Sequence, residues 1–448
     1  MLSRISRLLV GSLFIVSGLI KANDPIGFSY KLNDYFAAGV FNMPWLDPWA
    51  LELSVLVCVA EIVLGVAVLF GARMKLASWS LLVLMIFFTF LTGYTAIANW
   101  FFDNPESGLT NFFEGIFGFV AREDISYMKD CGCFGDAIKL TPWESFAKDI
   151  VLLIFSVIIF LKRDAIKPQD LKTDLMNLVA SGLLIAAFSF RMVSWYFPMI
   201  FALVTFGVLL GIKNLMQSDM RDWIMAVAAT VLSTWFSLYC IMHLPIKDFR
   251  PYKIGNNISE LKECPPDAPQ DIYEDTWFYR VNGEVKTYTT AEEPWKIEGA
   301  EFVNRETELI FKGCEPPIHD FVLEDVDGND YTEDILSEPF IFLAISYDIK
   351  EGNADFQAAL NALNDGALND PDGGPYMYGL ASNTYSEIDE YRHEHQVNYD
   401  VLTGDATMLK TIIRSNPGLV LLREGTVVGK WHFNDLPTYE TFKSEYLR

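Results

Sequence analysis

Long apolar stretches dominate the first half of this 448-residue chain and restrict the folds that it can adopt. An α-helix needs about 20 mainly apolar residues to cross the hydrocarbon core of a bilayer. Stretches that approach this length recur throughout residues 1–244, whereas ordinary soluble domains carry more charge and fewer long apolar runs. The sequence therefore predicts an α-helical membrane domain with about seven spans, at residues 5–22, 51–70, 76–98, 147–161, 175–191, 194–212 and 222–243.

The charge of the chain is concentrated in its second half. The formal net charge is −24, and all but −2 of it falls after residue 244. Nucleic-acid binding depends on clustered Lys and Arg that neutralise phosphates, so this balance excludes nucleic acid as a partner. The sequence instead predicts a lipid-embedded half followed by an acidic, water-facing half.

The basic residues of the short loops predict the orientation of the spans. Cytoplasmic loops of membrane proteins are enriched in Lys and Arg, and a seven-span topology places ten such residues on one side. The N-terminus is then cytoplasmic, and residues 23–50, 99–146 and everything after residue 244 lie outside. The first helix is predicted to be retained, because no convincing signal-peptide cleavage site follows it. The ten residues are Arg4, Arg7, Arg73, Lys75, Lys162, Arg163, Lys167, Lys172, Lys213 and Arg221.

The acidic half divides into a connector and an α/β region. Residues 245–316 contain short alternating runs and a hairpin signal at Val281–Glu284, which predict a β-rich connector. From residue 317 to the end, apolar runs alternate with helical patterns, which is typical of a sheet covered by helices. Strands are predicted at 340–347, 378–381, 418–422 and 426–432, and helices at 354–363 and 385–396.

Cys131-Gly132-Cys133, in the second outer loop, is the sharpest chemical signal in the sequence. A disulfide between residues two apart closes a small, strained ring, and Gly132 relieves part of the strain. Strained, exposed disulfides are often the labile or catalytic ones. We therefore predict a redox-active pair at Cys131 and Cys133, with a purely structural role as the alternative. No metal site is predicted, because the loop offers no further Cys or His ligands.

The four other cysteines carry plainer predictions. Cys264 and Cys314 flank the connector and are predicted to form a structural disulfide, worth about 4 kcal/mol on the chain-entropy estimate. Cys58 and Cys240 lie within predicted spans, where buried cysteines usually serve packing. The alternative that one of them accepts electrons from Cys131 and Cys133 remains open.

Three ionisable residues lie in or at the ends of predicted spans, where charges are costly and usually functional. Glu61 is near the middle of the second span, Lys21 is at the outer end of the first, and Asp149 is at the start of the fourth. Lys21 is the nearest candidate partner of Glu61. A polar clamp between helices and a proton-handling role are both open for this group.

The N-terminal motifs resemble those of the DoxX family, in its branch related to MauE as found in Bacteroidota. The resemblance implies a four-helix bundle over residues 1–162 in a bacterial inner membrane. It also implies disulfide formation in periplasmic partners. The three additional helices predicted in residues 163–244 fall outside the resemblance. The motifs are Gly18–Lys21 before Asp24-Pro25, Glu61 before Leu64-Gly65, Cys131-Gly-Cys-Phe-Gly135 and Lys148-Asp149.

A possible cofactor follows from the similarity of such bundles to relatives of vitamin K epoxide reductase. Those relatives carry a second, membrane-embedded CxxC motif that passes electrons to a quinone. This chain contains no CxxC motif, so a quinone remains possible without support from the sequence.

Residues 317–448 resemble a thioredoxin-like domain. The segment His319–Gly328 is similar to the start of the AhpC/TSA group, and Asn416-Pro417-Gly418 stands where such folds carry a cis-proline. Catalytic members need a cysteine just after the first core strand, but residues 347–352 contain none and no cysteine follows Cys314. The resemblance therefore implies a redox-inert module that binds partners.

Two functions are compatible with these features. The first is thiol–disulfide exchange with periplasmic partners through Cys131 and Cys133, with Cys133 as the resolving thiol. The second is a non-enzymatic membrane scaffold, a subunit of an envelope complex. The lipid bilayer is a predicted partner in both.

Overall fold

The computed structural model describes residues 2–38, 40–103, 108, 134–166, 170–216, 218 and 220–447. The chain forms two compact units. The first comprises residues 1–250 and 431–436, and the second comprises residues 251–430 and 437–448.

The first unit is helical. Within the described residues, six helical segments are long and apolar enough to cross a membrane, and the chain is therefore a multi-pass membrane protein. The long helices are α1 (Leu2–Asn23), α3 (Ala50–Phe70), α4 (Met74–Asp103), α5 (Pro142–Leu161), α6 (Leu171–Phe188), α7 (Phe197–Leu215) and α8 (Arg221–Met242).

One predicted span, α5, is not among those six segments. It is 20 residues long, but Glu144, Lys148 and Asp149 give it more charge than a typical membrane helix. It begins with a reciprocal cap between Thr141 and Glu144. The seven-span topology and its orientation remain predictions.

The outer loop predicted at residues 23–50 contains a further helix, α2 (Pro25–Phe36). The Asp24 side chain accepts a hydrogen bond from the Gly27 backbone N–H, and Pro25 occupies the first helical position. Both are standard ways to begin a helix.

Helix α1 packs against α3, α5 and α6, so it lies inside the bundle rather than at its edge. Its buried residues Ile15 and Leu19 share an apolar core with Ile62 of α3. Leu81 and Met85 of α4 form a second core with residues of α1 and α5. Helix α1 therefore has neighbours on several sides.

The second unit begins with the short helix α9 (Ile258–Leu261) and a three-stranded antiparallel sheet in the order β2-β1-β3. Asn282 and Gly283 both adopt positive φ in the tight turn between β1 and β2, as the hairpin signal predicts. A disulfide joins Cys264 and Cys314. The strands are β1 (Ile272–Val281), β2 (Glu284–Thr289) and β3 (Glu301–Phe311).

A five-stranded mixed sheet follows, in the order β6-β5-β4-β7-β8. Strands β5 and β6 run parallel to the fully buried β4, whereas β7 is antiparallel to it. The peptide bond between Asn416 and Pro417 is cis. The strands are β4 (Ile341–Ile345), β5 (Tyr376–Ala381), β6 (Asp400–Thr403), β7 (Gly418–Arg423) and β8 (Thr426–His432).

The helices of this region are α10 (Thr332–Ser337), α11 (Gln357–Leu368), α12 (Tyr385–Glu394), α13 (Ala406–Ile412) and α14 (Tyr439–Tyr446). The predicted elements are present within a few residues of their expected bounds. Strand β6 and the helices α10, α13 and α14 were not predicted. The second unit thus contains an α/β region, and its thioredoxin-like character remains a resemblance.

Candidate functional site

Glycines allow α1 and α3 to approach until their backbones nearly touch. A Cβ at Gly18 would lie 2.7 Å from Ile62 Cγ1 and 2.9 Å from the carbonyl oxygen of Cys58. A Cβ at Gly65 would lie 2.7 Å from the carbonyl oxygen of Gly11. Real Cβ atoms do not approach backbone oxygens this closely, so larger residues would push the helices apart. Small residues serve the same purpose at many membrane helix interfaces.

This close approach brings Lys21 of α1 against Glu61 of α3. The ammonium group of Lys21 pairs with Glu61 Oε1 and also donates to Ser17 Oγ at 3.1 Å. Both charged side chains are buried, with 5% and 1% of their surface exposed. The ring of Phe88 lies 4.7 Å from the ammonium nitrogen and adds a cation–π contact. The structure therefore joins two residues that the sequence placed in different spans.

Asp149 of α5 is the third predicted polar residue, and it is held by neighbours on two helices. Thr92 Oγ1 of α4 donates to Asp149 Oδ2 at 3.1 Å, and Lys148 Nζ lies 2.8 Å from Asp149 Oδ1. Gly93 makes room for the Phe146 ring, since a Cβ there would lie 2.8 Å from Phe146 Cε2. Close packing of α4 on α5 thus positions a buried carboxylate.

A cavity of about 330 Å³ brings these predicted residues together. Its lining comes from α1, α3, α4, α5 and α6 and from the segment that precedes α5. Most of the wall is apolar, with a few polar groups, which is the usual composition of a small-molecule site. The polar residues are Ser17, Lys21, Glu61, Glu144, Lys148 and Asp149, and the apolar residues include Leu13, Met85, Phe88, Phe134, Leu140, Phe188 and Met192.

Phe134 connects this cavity to the predicted redox motif in the sequence. Its side chain is 6% exposed, and its ring packs against Phe188 at a centroid distance of 5.7 Å. The ammonium nitrogen of Lys148 lies 4.9 Å from the Phe134 ring centre. Phe134 directly follows Cys133 in the sequence.

The predicted redox cysteines themselves, Cys131 and Cys133, lie outside the described residues. Cys58 and Cys240 are free thiols buried in the helical unit, as expected for packing residues. Among the described residues, the pair Cys264–Cys314 is joined by a disulfide.

A second polar layer lies about 21 Å from Lys21 along α1, because Arg7 precedes Lys21 by 14 residues of 1.5 Å each. Arg7 donates to the carbonyl oxygens of Val68 and Leu69 at 2.8 Å each, which satisfies the end of α3. This contact has a structural role and differs from the paired charges of the cavity. The same layer contains the pairs Arg4–Asn177 and Lys213–Asp174.

In the α/β region, a carboxamide network occupies the turn after β4, where the thioredoxin-like resemblance would place a catalytic cysteine. Asn416 Nδ2 donates to the carbonyl oxygen of Asp348 at 2.7 Å, and Asn383 Oδ1 accepts from the Ile349 backbone N–H at 3.0 Å. Lys350 pairs with Glu387, which lowers the pKa of that carboxyl group to about 2. These groups hold the turn after β4 in place and provide no nucleophile.

Sequence reasoning missed several residues of the cavity. Ser17 and Lys21 lie four positions apart on α1, a spacing that places them on one helical face. Phe88, which lines the cavity, and Thr92, which donates to Asp149, show the same spacing on α4 and could have been found in this way. The contribution of Phe188 depends on how α6 packs, and no local pattern signals it.

Comparison with known protein families supports the predicted resemblance of the N-terminal region to MauE. Residues 1–102 match the family described as methylamine utilisation protein MauE. This region contains Lys21, Glu61 and Thr92 but ends before the cysteine motif. No curated protein and no solved structure matches the chain significantly.

Proposed function

We propose that this membrane protein exchanges thiols and disulfides with extracytoplasmic partner proteins through Cys131 and Cys133. The observation that carries the proposal is the burial of Phe134, which directly follows the cysteine pair in the sequence, in the wall of the cavity that contains Lys21 and Glu61. Buried ionisable groups inside a membrane bundle are costly and are usually retained for a function. The MauE match over residues 1–102 supports the membrane assignment of the same bundle.

The exchange proceeds through a mixed disulfide. The Cys131 thiolate attacks a partner disulfide, one partner sulfur leaves as a thiolate, and a bond forms between Cys131 and the other partner sulfur. The Cys133 thiolate then attacks Cys131 and releases the second partner thiolate. The partner gains two electrons and the cysteine pair loses two. The reverse sequence oxidises a partner dithiol instead.

The second unit serves in this proposal as a redox-inert, thioredoxin-like module that recruits partners in the periplasm. Its support is the Cys264–Cys314 disulfide, since disulfides persist in oxidising compartments. Residues 317–448 contain no cysteine, so that module has no reactive thiol of its own.

Trapping of the mixed disulfide tests the proposal. A Cys133→Ser variant lacks the resolving thiol, so it should retain a partner that nonreducing electrophoresis separates and that dithiothreitol releases. Cys131→Ser should retain much less, and Cys58→Ser is the matched control with an intact pair. If neither single variant captures a partner and both keep the wild-type phenotype, thiol exchange is excluded.

The alternative is a non-enzymatic scaffold. The observation that favours it is the hydrogen-bonded network of Asp348, Asn383 and Asn416 in the turn after β4. Purification in mild detergent separates the two functions. A scaffold should retain its partners in stable stoichiometry after Cys131→Ala and Cys133→Ala are combined. An exchange protein should lose its covalent partners in that double variant.

A further inference from the structure

The membrane cavity contains a buried hydrogen-bond acceptor that the proposed thiol chemistry does not use. Glu61 is 1% exposed, and its Oε1 atom receives Lys21. Its Oε2 atom is buried and has no hydrogen-bond partner among the described residues. A buried polar atom without a partner destabilises the folded state, because its lost hydration is not replaced. The geometry therefore leaves a place for one donor beside Glu61.

The two buried carboxylates of the cavity each have a lysine partner, and the third carboxylate of the lining, Glu144, is exposed to solvent. Lys21 pairs with Glu61, and Lys148 pairs with Asp149. Glu144 accepts hydrogen bonds from the backbone N–H and the hydroxyl of Thr141 at the start of α5. An additional charged molecule would have to leave water without gaining a counter-charge, which is unfavourable in a low-dielectric site. The missing donor therefore belongs to a neutral molecule.

The walls of the cavity indicate the rest of that molecule. The rings of Phe88, Phe134 and Phe188 line it together with aliphatic side chains. Its volume of about 330 Å³ is at the lower end of the range for small-molecule sites, about 300–1,000 Å³. Aromatic rings pack favourably against one another in offset and edge-to-face arrangements. A compact apolar body with a ring fits these walls better than a string of waters, which would need polar partners along its length.

We propose that the cavity binds a small, neutral, lipid-soluble phenol whose hydroxyl group donates to Glu61 Oε2. The ring of the ligand lies among the phenylalanine side chains, and the bilayer provides its route of entry. This proposal is independent of the cysteine chemistry, since it invokes neither Cys131 nor Cys133.

The test compares three probes of similar size on the full chain in lipid nanodiscs, with empty nanodiscs as the blank. The probes are 4-hexylphenol, its methyl ether 4-hexylanisole, and 4-hexylbenzylamine, which is a cation at pH 7. The phenol should show saturable binding at least tenfold tighter than the ether, which lacks the donor, and than the amine. Equal binding of phenol and ether, tighter binding of the amine, or no saturable binding would overturn the proposal.

Substitutions test whether the phenol binds in this cavity. Several variants are compared, so that the test does not fail if one of them is unstable. Leu13→Trp fills the cavity wall and should weaken phenol binding at least tenfold. Val83→Trp adds the same side chain at a residue that is 60% exposed on α4 and should leave binding unchanged. Unchanged binding in a folded Leu13→Trp protein would contradict the site. The combined Cys131→Ser and Cys133→Ser variant should bind the phenol normally, which separates this proposal from thiol exchange.

Discussion

Two lysine–glutamate pairs, one in each unit, show how differently the two halves of the chain use the same chemistry. Lys21 and Glu61 are buried between α1 and α3, with 5% and 1% of their side chains exposed. Lys350 and Glu387 form an equally direct pair in the second unit, where 65% and 30% are exposed. Water solvates the exposed charges of Lys350 and Glu387 even when the two side chains are apart. The buried charges of Lys21 and Glu61 have lost their hydration, so each is stabilised mainly by the other.

The surfaces of the two units differ in the same way. Leu183 and Val83 of the helical unit are exposed, as expected for side chains that contact lipid. In the second unit the apolar residues of β4 are fully buried, and most charges face outward. A polar residue is therefore informative about function in the first unit and mainly about solubility in the second.

Removing one member of the buried pair should have the largest effect on stability. Lys21→Met leaves the Glu61 carboxylate without a cation, and breaking a buried pair in this way typically costs about 3–5 kcal/mol. Lys350→Met, the matched change in the second unit, should produce little change because water replaces the lost partner. The free energy of unfolding in detergent, followed by circular dichroism, measures both.

The double change Lys21→Met with Glu61→Leu should recover much of this loss, since no unpaired charge then remains. If Lys21→Met and Lys350→Met cost the same, the contrast between the two units is wrong.

Removal of the disulfide should have the next largest effect, and it should be confined to the second unit. Cys264→Ala with Cys314→Ala opens a loop with a sequence separation of 50, which costs up to about 4 kcal/mol on the chain-entropy estimate. Amide hydrogen exchange should show faster exchange in β1 and β3 and unchanged exchange in α1 and α3. Equal acceleration in both units would show that they do not unfold independently.

A glycine substitution tests the close helix contact with a smaller effect. The Cβ of Gly18→Ala meets Ile62 and the Cys58 carbonyl oxygen, so crowding should destabilise the bundle by about 1–3 kcal/mol. Gly182→Ala is the matched control, because a Cβ there meets nothing within 4 Å. The control should be neutral or slightly stabilising, since Ala is the better helix former. Equal responses of both variants in thermal unfolding would contradict the packing argument.

The smallest predicted effect concerns acid stability in the second unit. Hydrogen bonds from Lys443 and Tyr439 lower the pKa of Asp370 to about 2, below its ordinary value of about 3.9. This contribution to stability is fully present above about pH 4 and is lost as the pH falls through 2. Asp370→Asn should therefore reduce the hydrogen-exchange protection of α14 at pH 5, and the difference from wild type should vanish near pH 2. A difference that persists at pH 2 would assign the effect to another cause.

Local patterns predicted much of the fold. Apolar length gave the helices of the first unit, and alternation gave strands such as β8, because both signals lie within a few neighbouring residues. Short elements such as β6 (Asp400–Thr403) were missed, because four residues carry too weak a pattern. The helix α2 was missed although Asp24-Pro25 is a recognisable start signal.

The candidate site was predicted in part. Lys21, Glu61 and Asp149 were identified because charges are rare within apolar stretches, and that rarity needs no structure. That they line one cavity depends on Gly18, which brings α1 close to α3, and on Gly93, which brings α4 close to α5. No pattern in the sequence measures how closely these helices approach, so the cavity could be found only from the structure.

The redox state of Cys131 and Cys133 in native membranes tests the central proposal most directly. Membranes are equilibrated in glutathione buffers over a range of potentials, free thiols are alkylated, and both cysteines are quantified by mass spectrometry. We expect Cys131 and Cys133 to form a disulfide that is reduced at potentials where Cys264–Cys314 remains intact. Free thiols at both positions under the most oxidising buffer would contradict the proposal that this membrane protein exchanges disulfides.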